Sequence, residues 1–425
     1  MKELVQKIYN IVKTEHKADD YELYIDFSDN HEARFAQNAM SQHMVGQNVR
    51  VVYKAYIDKK TASSTVNQYD ESTLRHLIKS TEDLARINQP DPEYTESIGA
   101  LEYPKVKNVM PETEALTPEK IVDIIREAVE FAREKDTKLS GIFSLNKASV
   151  FYFTKNGFEG NYDTSSYEFS MTMKRDERET KVSTAGKDFA KFSLKAQLDQ
   201  LYSQFSALDK PNKMEPETIN VILRPQAVAN LMMYLRWGLD RRMADEGLTP
   251  LKGQIGKQYF GEKFNMSTVS EDDSMTIIPF FNDTVVKDID WIKDGVVKAL
   301  PTNKTYANMI GTEATSMFNV YISGGDTSEE EMMKMVDRGL IINNFWYIRP
   351  NDMRTADFTG MTRDGVLYFE NGEVKHSVNN FRFNEKLHEI TRRILALGES
   401  AIVFNTSKVP TMLIKDFHFI DRTNF

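Results

Sequence analysis

The tightest constraint on the fold lies in residues 318–380, where the hydrophobic period changes from helical to alternating within one run. Phe318, Val320 and Ile322 alternate with polar or smaller neighbours, the pattern of a half-buried strand, and Gly324-Gly325 let the chain leave it without a Cβ clash. Thr327 is placed to cap a helix, with Glu330 three residues on reaching back to it and the acids at 329–331 facing the positive end of the helix dipole. The helix is expected to run through Met335 and stop at Gly339. Residues 340–348 then form an apolar strand, and 366–369 should turn back into 373–378 through Asn371-Gly372, the pair that favours a two-residue type I′ hairpin. Strand, helix and antiparallel strands in that order describe an α+β chain rather than a bundle or a doubly wound sheet.

At 425 residues the chain exceeds one ordinary core, and 40% hydrophobic content is enough to fill two. Leu4, Val5, Ile8, Ile11 and Val12 share one helical face; Tyr21, Leu23, Ile25 and Phe27 alternate after it. Val49, Val51, Tyr53, Ala55 and Ile57 form a second strand that returns as 61–66, and Ser72 is placed to cap a helix burying Leu74, Leu77, Ile78 and Leu84. Four prolines mark 88–111 as an irregular connector, after which Thr117-Pro118 open a strong helix. Residues 139–187 read as strands with a hairpin at Asn156-Gly157, and 194–208 as a helix. Proline-bounded 211–216 is the expected domain boundary. Beyond it come a strand at 218–223, a helix from Pro225 to Asp245, further strands, a helix at 384–397 and a last strand at 412–419, with no internal repeat. The expected fold is therefore α+β in two domains: an N-terminal α/β sandwich-like domain, 1–213, and a C-terminal mainly antiparallel β domain with a few helices, 214–425.

Several function classes recede on composition. With no cysteine there are no disulfides, thiolate ligands or cysteine nucleophile. A net charge of −9 disfavours direct nucleic-acid binding, since phosphates are repelled without a basic face. No apolar run approaches the ~18 residues of a membrane helix, and no export signal is visible, so a cytoplasmic chain with no membrane partner is expected.

The order of Ile322-Ser323-Gly324-Gly325-Asp326, Gly339-Leu340, Asp357-Phe358-Thr359-Gly360 and the FENGEV run at 369–374 resembles the TldD/PmbA family, known as modulators of DNA gyrase and as metallopeptidases. The ARFAQNAMSQ run at 33–42, NVRVV at 48–52, Ala62-Ser63-Ser64 and the helix at Ser72 extend that resemblance over nearly the whole chain. In TldD-like members a HExxxH motif follows the second domain's first strand and binds catalytic zinc: two imidazoles hold the ion and the glutamate takes a proton from its water. Here the corresponding helix, 227–240, has no histidine; Met233, Tyr234 and Gly238 occupy those three positions. The chain thus resembles the PmbA branch, also called TldE, whose members lack the motif and pair with a TldD-like chain.

The resemblance implies a subunit without catalytic or metal residues of its own, acting on unfolded or extended peptides beside a TldD-like paralogue that carries zinc, or as a homodimer. The alternative is a non-proteolytic binder that modulates gyrase. Met232, Met233, Arg236, Gly324 and Gly325 are the candidate peptide-binding residues, although a stripe such as Leu231, Met232, Leu235 and Leu239 equally describes a core face. Arg241 and Arg242 lie near the expected cleft. His31-Glu32 and His388-Glu389 lack the second histidine a zinc helix needs and read as surface pairs.

Overall fold

The computed structural model describes residues 1–281 and 283–423. The first half of the chain builds α1 (Lys2–Glu15), β1 (Asp20–Ala36), β2 (Ala39–Ile57), β3 (Lys60–Val66) and α2 (Glu71–Ile87). After the connector, a short α3 (Pro111–Glu114) leads into α4 (Pro118–Glu134), β4 (Lys138–Thr154), β5 (Glu159–Arg175), β6 (Arg178–Gly186) and α5 (Leu194–Ser206). The six strands form one antiparallel sheet in the order β3-β2-β1-β4-β5-β6. Helix, three strands and helix therefore occur twice, joined where β1 pairs with β4 from Glu22 to Phe35. The sequence shows no repeat because different side chains fill the two halves; the duplication lives in topology alone.

Local chemistry explains each half. Val5, Ile8, Tyr9 and Val12 of α1 and Leu74, Leu77 and Ile78 of α2 bury against Leu23, Ile25, Val51 and Tyr53. Ile121, Ile125, Ala128 and Ala132 of α4 join Leu198, Leu201 and Phe205 of α5 over Phe143, Tyr167 and Phe169. Thr117 caps α4 by accepting from the Lys120 N–H at 3.3 Å, with Pro118 at the first helical position. The α2 cap is Asp70, not Ser72: its carboxylate accepts from the Thr73 N–H at 3.0 Å. Leu84 consequently faces outward, and Thr81, Glu82 and Ala85 take the buried side.

The second half of the chain opens with β7 (Thr218–Leu223), α6 (Pro225–Gly238) and α7 (Arg241–Asp245), the expected single helix being broken at Leu239-Asp240 where Asp240 caps the next turn. Short strands follow: β8 (Met266–Thr268), β9 (Phe280–Phe281), β10 (Thr284–Val285), β11 (Ile289–Lys293) and β12 (Val296–Val297). Then come α8 (Lys304–Ile310), β13 (Val320–Ile322), α9 (Glu329–Lys334), β14 (Arg338–Asp352), β15 (Asp357–Glu370) and β16 (Glu373–Val378). The chain ends with β17 (Phe381–Lys386), α10 (Leu387–Arg392), β18 (Ile394–Val403) and β19 (Ser407–Arg422). The helix expected at 384–397 is thus only α10, because residues on either side alternate as strands. The α9 capping box is one residue later than the sequence suggested, Ser328 with Glu331, and Gly339 lies inside β14 rather than stopping the helix. Asn371 and Gly372 both have positive φ, as the type I′ hairpin requires.

Most of these strands join an eleven-stranded sheet whose β7 pairs with both β14 and β19, so β7, β14, β15, β17 and β19 close on themselves. Closure removes free edges. One strand face, with Val221, Leu223, Leu340, Ile342, Phe383 and Phe417, holds α6. The other, with Ile222, Ile341, Leu367 and Leu413, holds Met332 and Met333 of α9. The whole is α+β with mainly antiparallel sheets, as the sequence predicts.

Candidate functional site

Helix α6 starts directly off the central strand β7, with Arg224 at its N-cap and Pro225 fixing the first turn. Arg224 ties that start to α9 through a bidentate pair, Nε to Glu329 Oε2 at 2.8 Å and Nη2 to Glu329 Oε1 at 2.7 Å, and donates to Asn343 Oδ1 at 2.6 Å. Asn343 in turn donates to Thr180 Oγ1 of β6 at 2.9 Å. One turn along α6, Asn230 donates to Asn344 Oδ1 at 2.6 Å and to the Phe345 carbonyl at 2.7 Å. Asn344 passes the chain on to Asp364 Oδ2 at 2.7 Å. Asp364 and Gly365 adopt positive φ at the register shift between β14 and β15, so a bulge aims this carboxylate inward. Burial raises the Asp364 pKa, opposed by the Asn344 hydrogen bond. A continuous polar seam therefore joins α9, α6, the β14–β15 bulge and the six-stranded sheet. Sequence reasoning missed it; its signal was Asn343-Asn344 set inside an otherwise apolar strand.

The seam borders two hollows. One of about 630 Å³ lies beside the β5–β6 turn and the bulge, lined by Arg178, Glu179, Trp346, Arg363, Asp364 and Asn379. Arg363 sits 4.5 Å over the Trp346 ring. The other, about 160 Å³, lies between the sheet's helix-free face and the start of α6, among Ser144, Glu168, Lys181, Gln226 and Phe404. Burial raises the Glu168 pKa, while Asn405 donates to its Oε1 at 2.9 Å.

The residues proposed from sequence separate in space. Met232 belongs to the core beneath α6, at 2% exposure, whereas Met233 and Trp237 project at 43% and 55%. Arg236 donates Nη2 to the Met317 carbonyl at 2.6 Å, and burial lowers its pKa. Gly324 and Gly325 are pressed against β18: an added Cβ would lie 2.5 Å from the Gly398 oxygen and 2.6 Å from the Leu397 oxygen respectively. Their role in the fold is this close approach, and the Gly325 N–H is taken by Gly398 at 2.8 Å. Arg241 pairs with Asp245 at 2.7 Å, and Arg242 holds Glu93 of the connector at 2.8 and 2.9 Å.

The donor set on α6 does not fit zinc. Met233 offers a solvent-facing thioether, Tyr234 packs its ring 5.6 Å from Phe358, and Gly238 has no side chain. Nothing lies within 4 Å of a Cβ built on Gly238, so a larger residue is not sterically forbidden there. Among the described residues no group of three His, Asp or Glu side chains is placed to hold a metal. His388 and His31 are not surface residues as expected: their side chains are 9% and 12% exposed. His388 stacks on Tyr259 at 4.8 Å beside Tyr234 and Gly238, and burial lowers its pKa.

Comparison with known proteins bears on this geometry. Residues 216–421 match the PmbA/TldA metallopeptidase C-terminal domain and residues 111–201 its central domain. No curated protein matches the sequence. Among solved structures, TldE from Thermococcus kodakarensis is 17% identical with a TM-score of 0.88, covering 99% of each chain. A candidate modulator of DNA gyrase from Thermotoga maritima is 16% identical with a TM-score of 0.86, covering 99% of this chain and 100% of that one. One from Bacteroides thetaiotaomicron is 14% identical, also at 0.86, covering 99% and 98%. These likenesses carry the fold over its full length. With both family domains matched in order across the second half of the six-stranded sheet and the whole closed sheet, the chain belongs to the PmbA/TldD family.

Proposed function

We propose that this chain is a peptide-handling subunit of a TldD-type metallopeptidase system, cytoplasmic and without a catalytic zinc of its own, working beside a family member that carries the metal. The supporting observation is the chemistry of α6: where zinc hydrolysis needs two imidazoles and a carboxylate, this helix presents Met233, Tyr234 and Gly238. Its outward face, with Met233 and Trp237, and the polar seam at Asn230 suit a wall that contacts extended peptide through apolar side chains and amides. Met233 is the contact we favour among the sequence candidates; Met232 packs in the core beneath the helix, Arg236 is held by the Met317 carbonyl, and Gly324 and Gly325 pack against β18.

The test is to purify the chain alone and with a HExxxH-bearing paralogue, measure bound zinc, and assay hydrolysis of an unfolded peptide. Zinc and cleavage should require the paralogue. Stoichiometric zinc and cleavage by the isolated chain would sink the proposal. Gyrase modulation, the description two relatives carry, is the other reading; it would be favoured by co-purification of a gyrase subunit that does not depend on any metal-bearing partner.

A further inference from the structure

Residues from both halves of the chain build the hollow of about 630 Å³ beside the β5–β6 turn, and nothing proposed for the α6 face uses it. Its walls are tied to one another. Gly365 of β15 has a φ of +90°, and a Cβ there would lie 2.8 Å from the Glu179 oxygen, so the bulge sits directly against the end of the turn. Asp209, on the segment leading to β7, accepts from the Ser377 N–H at 2.8 Å, while its own N–H donates to Ser377 Oγ at 2.9 Å. The hollow is therefore preformed, as small-molecule sites usually are.

Charges of both signs line it, and several are already engaged. Glu179 pairs with Lys174 at 3.4 Å, Glu177 with Lys210 at 3.7 Å, and Asp209 with Ser377, while Asp176 lies in solvent at the tip of the turn. Asp364, Arg363 and Arg178 keep unused bonding capacity. Asp364 is only 6% exposed; its Oδ2 accepts from Asn344 at 2.7 Å, whereas Oδ1 has Arg363 Nε at 3.8 Å, too long for a hydrogen bond. Arg178 lies 5.1 Å over the Phe205 ring and has no carboxylate partner among the described residues.

A buried carboxylate beside a guanidinium, at a spacing that bonds neither, matches the head of an α-amino acid. Such a ligand carries its ammonium and its carboxylate on one carbon, and so needs an acceptor and a donor side by side. A simple anion would face Asp364, and a simple cation would face Arg363 and Arg178. We propose that this hollow binds a free acidic α-amino acid, with its ammonium on Asp364, its α-carboxylate on Arg363 and its side-chain carboxylate on Arg178. The Trp346 ring, 46% exposed, offers an apolar surface for the carbons between them. The proposal does not depend on what the α6 face binds or on any metal-bearing partner.

Titration calorimetry on the full-length chain tests it. L-Glutamate is expected to bind at one site per chain, L-leucine about tenfold more weakly, and N-acetyl-L-glutamate, which has no ammonium, not measurably. Asp364→Asn keeps an acceptor for Asn344, and Arg178→Gln changes a side chain with no ion pair to lose; each should weaken L-glutamate by about tenfold or more with circular dichroism unchanged. Arg354→Gln, in the β14–β15 turn and outside the hollow, should bind as the wild type does. No binding of L-glutamate to the wild-type chain would overturn the proposal. So would N-acetyl-L-glutamate or L-leucine binding as tightly as L-glutamate, or full affinity in either hollow variant.

Discussion

The two halves of the six-stranded sheet are alike in topology and unlike in what finishes them. Both run helix, three strands, helix, and both leave the first part of their second strand unpaired by their third. In the later half the chain supplies its own cover, since the connector lies along β5 and is held by Asn108, which donates to the Ile277 carbonyl at 2.6 Å and accepts from the Ile277 N–H at 3.0 Å. In the earlier half no such segment lies along β2 among the described residues. A duplicated unit thus becomes asymmetric through a loop, and the lesson is that edge protection is a property of connectors as much as of strands.

The largest test of this comparison asks whether the halves are separate. Phe143→Ala removes a fully buried ring from the later half and should cost about 3–5 kcal/mol, while Leu23→Ala in the earlier half should cost about 2–5 kcal/mol. Because β1 and β4 pair along almost their whole lengths, each loss should appear in one shared urea transition. Two separable transitions would show that the halves are independent units.

Glu82 is a buried carboxylate of the earlier half, accepting from the Lys17 N–H at 2.7 Å, the Ala18 N–H at 3.2 Å and Tyr53 Oη at 3.1 Å. Glu82→Ala strands these donors and should cost about 1–3 kcal/mol in chemical denaturation, with a cost near zero contradicting the role. Asn108→Ala should cost about 1–2 kcal/mol and, more tellingly, speed amide exchange in 159–166. Unchanged exchange there would mean that the connector is not what seals β5.

The smallest effect is a pH slope. Asp364 has a raised folded pKa, so its contribution is fully present below the ordinary carboxylate range near ~4 and is lost as pH rises through the higher folded value. Asp364→Asn keeps an acceptor for Asn344 and should flatten the decline in melting temperature above that range. An equally steep decline in the variant would assign the slope to another group.

How much of this was legible follows from which signals are local. Thr117-Pro118 and Asn371-Gly372 fix their own surroundings, and the structure places a cap and a turn there. Ser72 and Thr327 failed as caps because Asp70 and Ser328, one or two residues away, offer equivalent oxygens, and tertiary packing chose between them. The alternating strands at 381–386 and 394–403 were hidden by a single helical turn between them. At the candidate site, the residues α6 presents at Met233, Tyr234 and Gly238 could be read one by one. The seam from Glu329 to Asp364 could not, because its members are far apart in sequence and are brought together by Arg224 at the start of α6 and by the β14–β15 bulge.

The connector has one more consequence. It grips α7 through Glu93 and Arg242, the start of β1 through Ser97 and Asp20, whose Oδ1 accepts from Ser97 Oγ at 2.7 Å, and the segment before β9 through Asn108. These three successive rivets make the connector a strap that holds the six-stranded sheet and the second half of the chain together, so that cutting any one of them leaves two others to keep the strap in place.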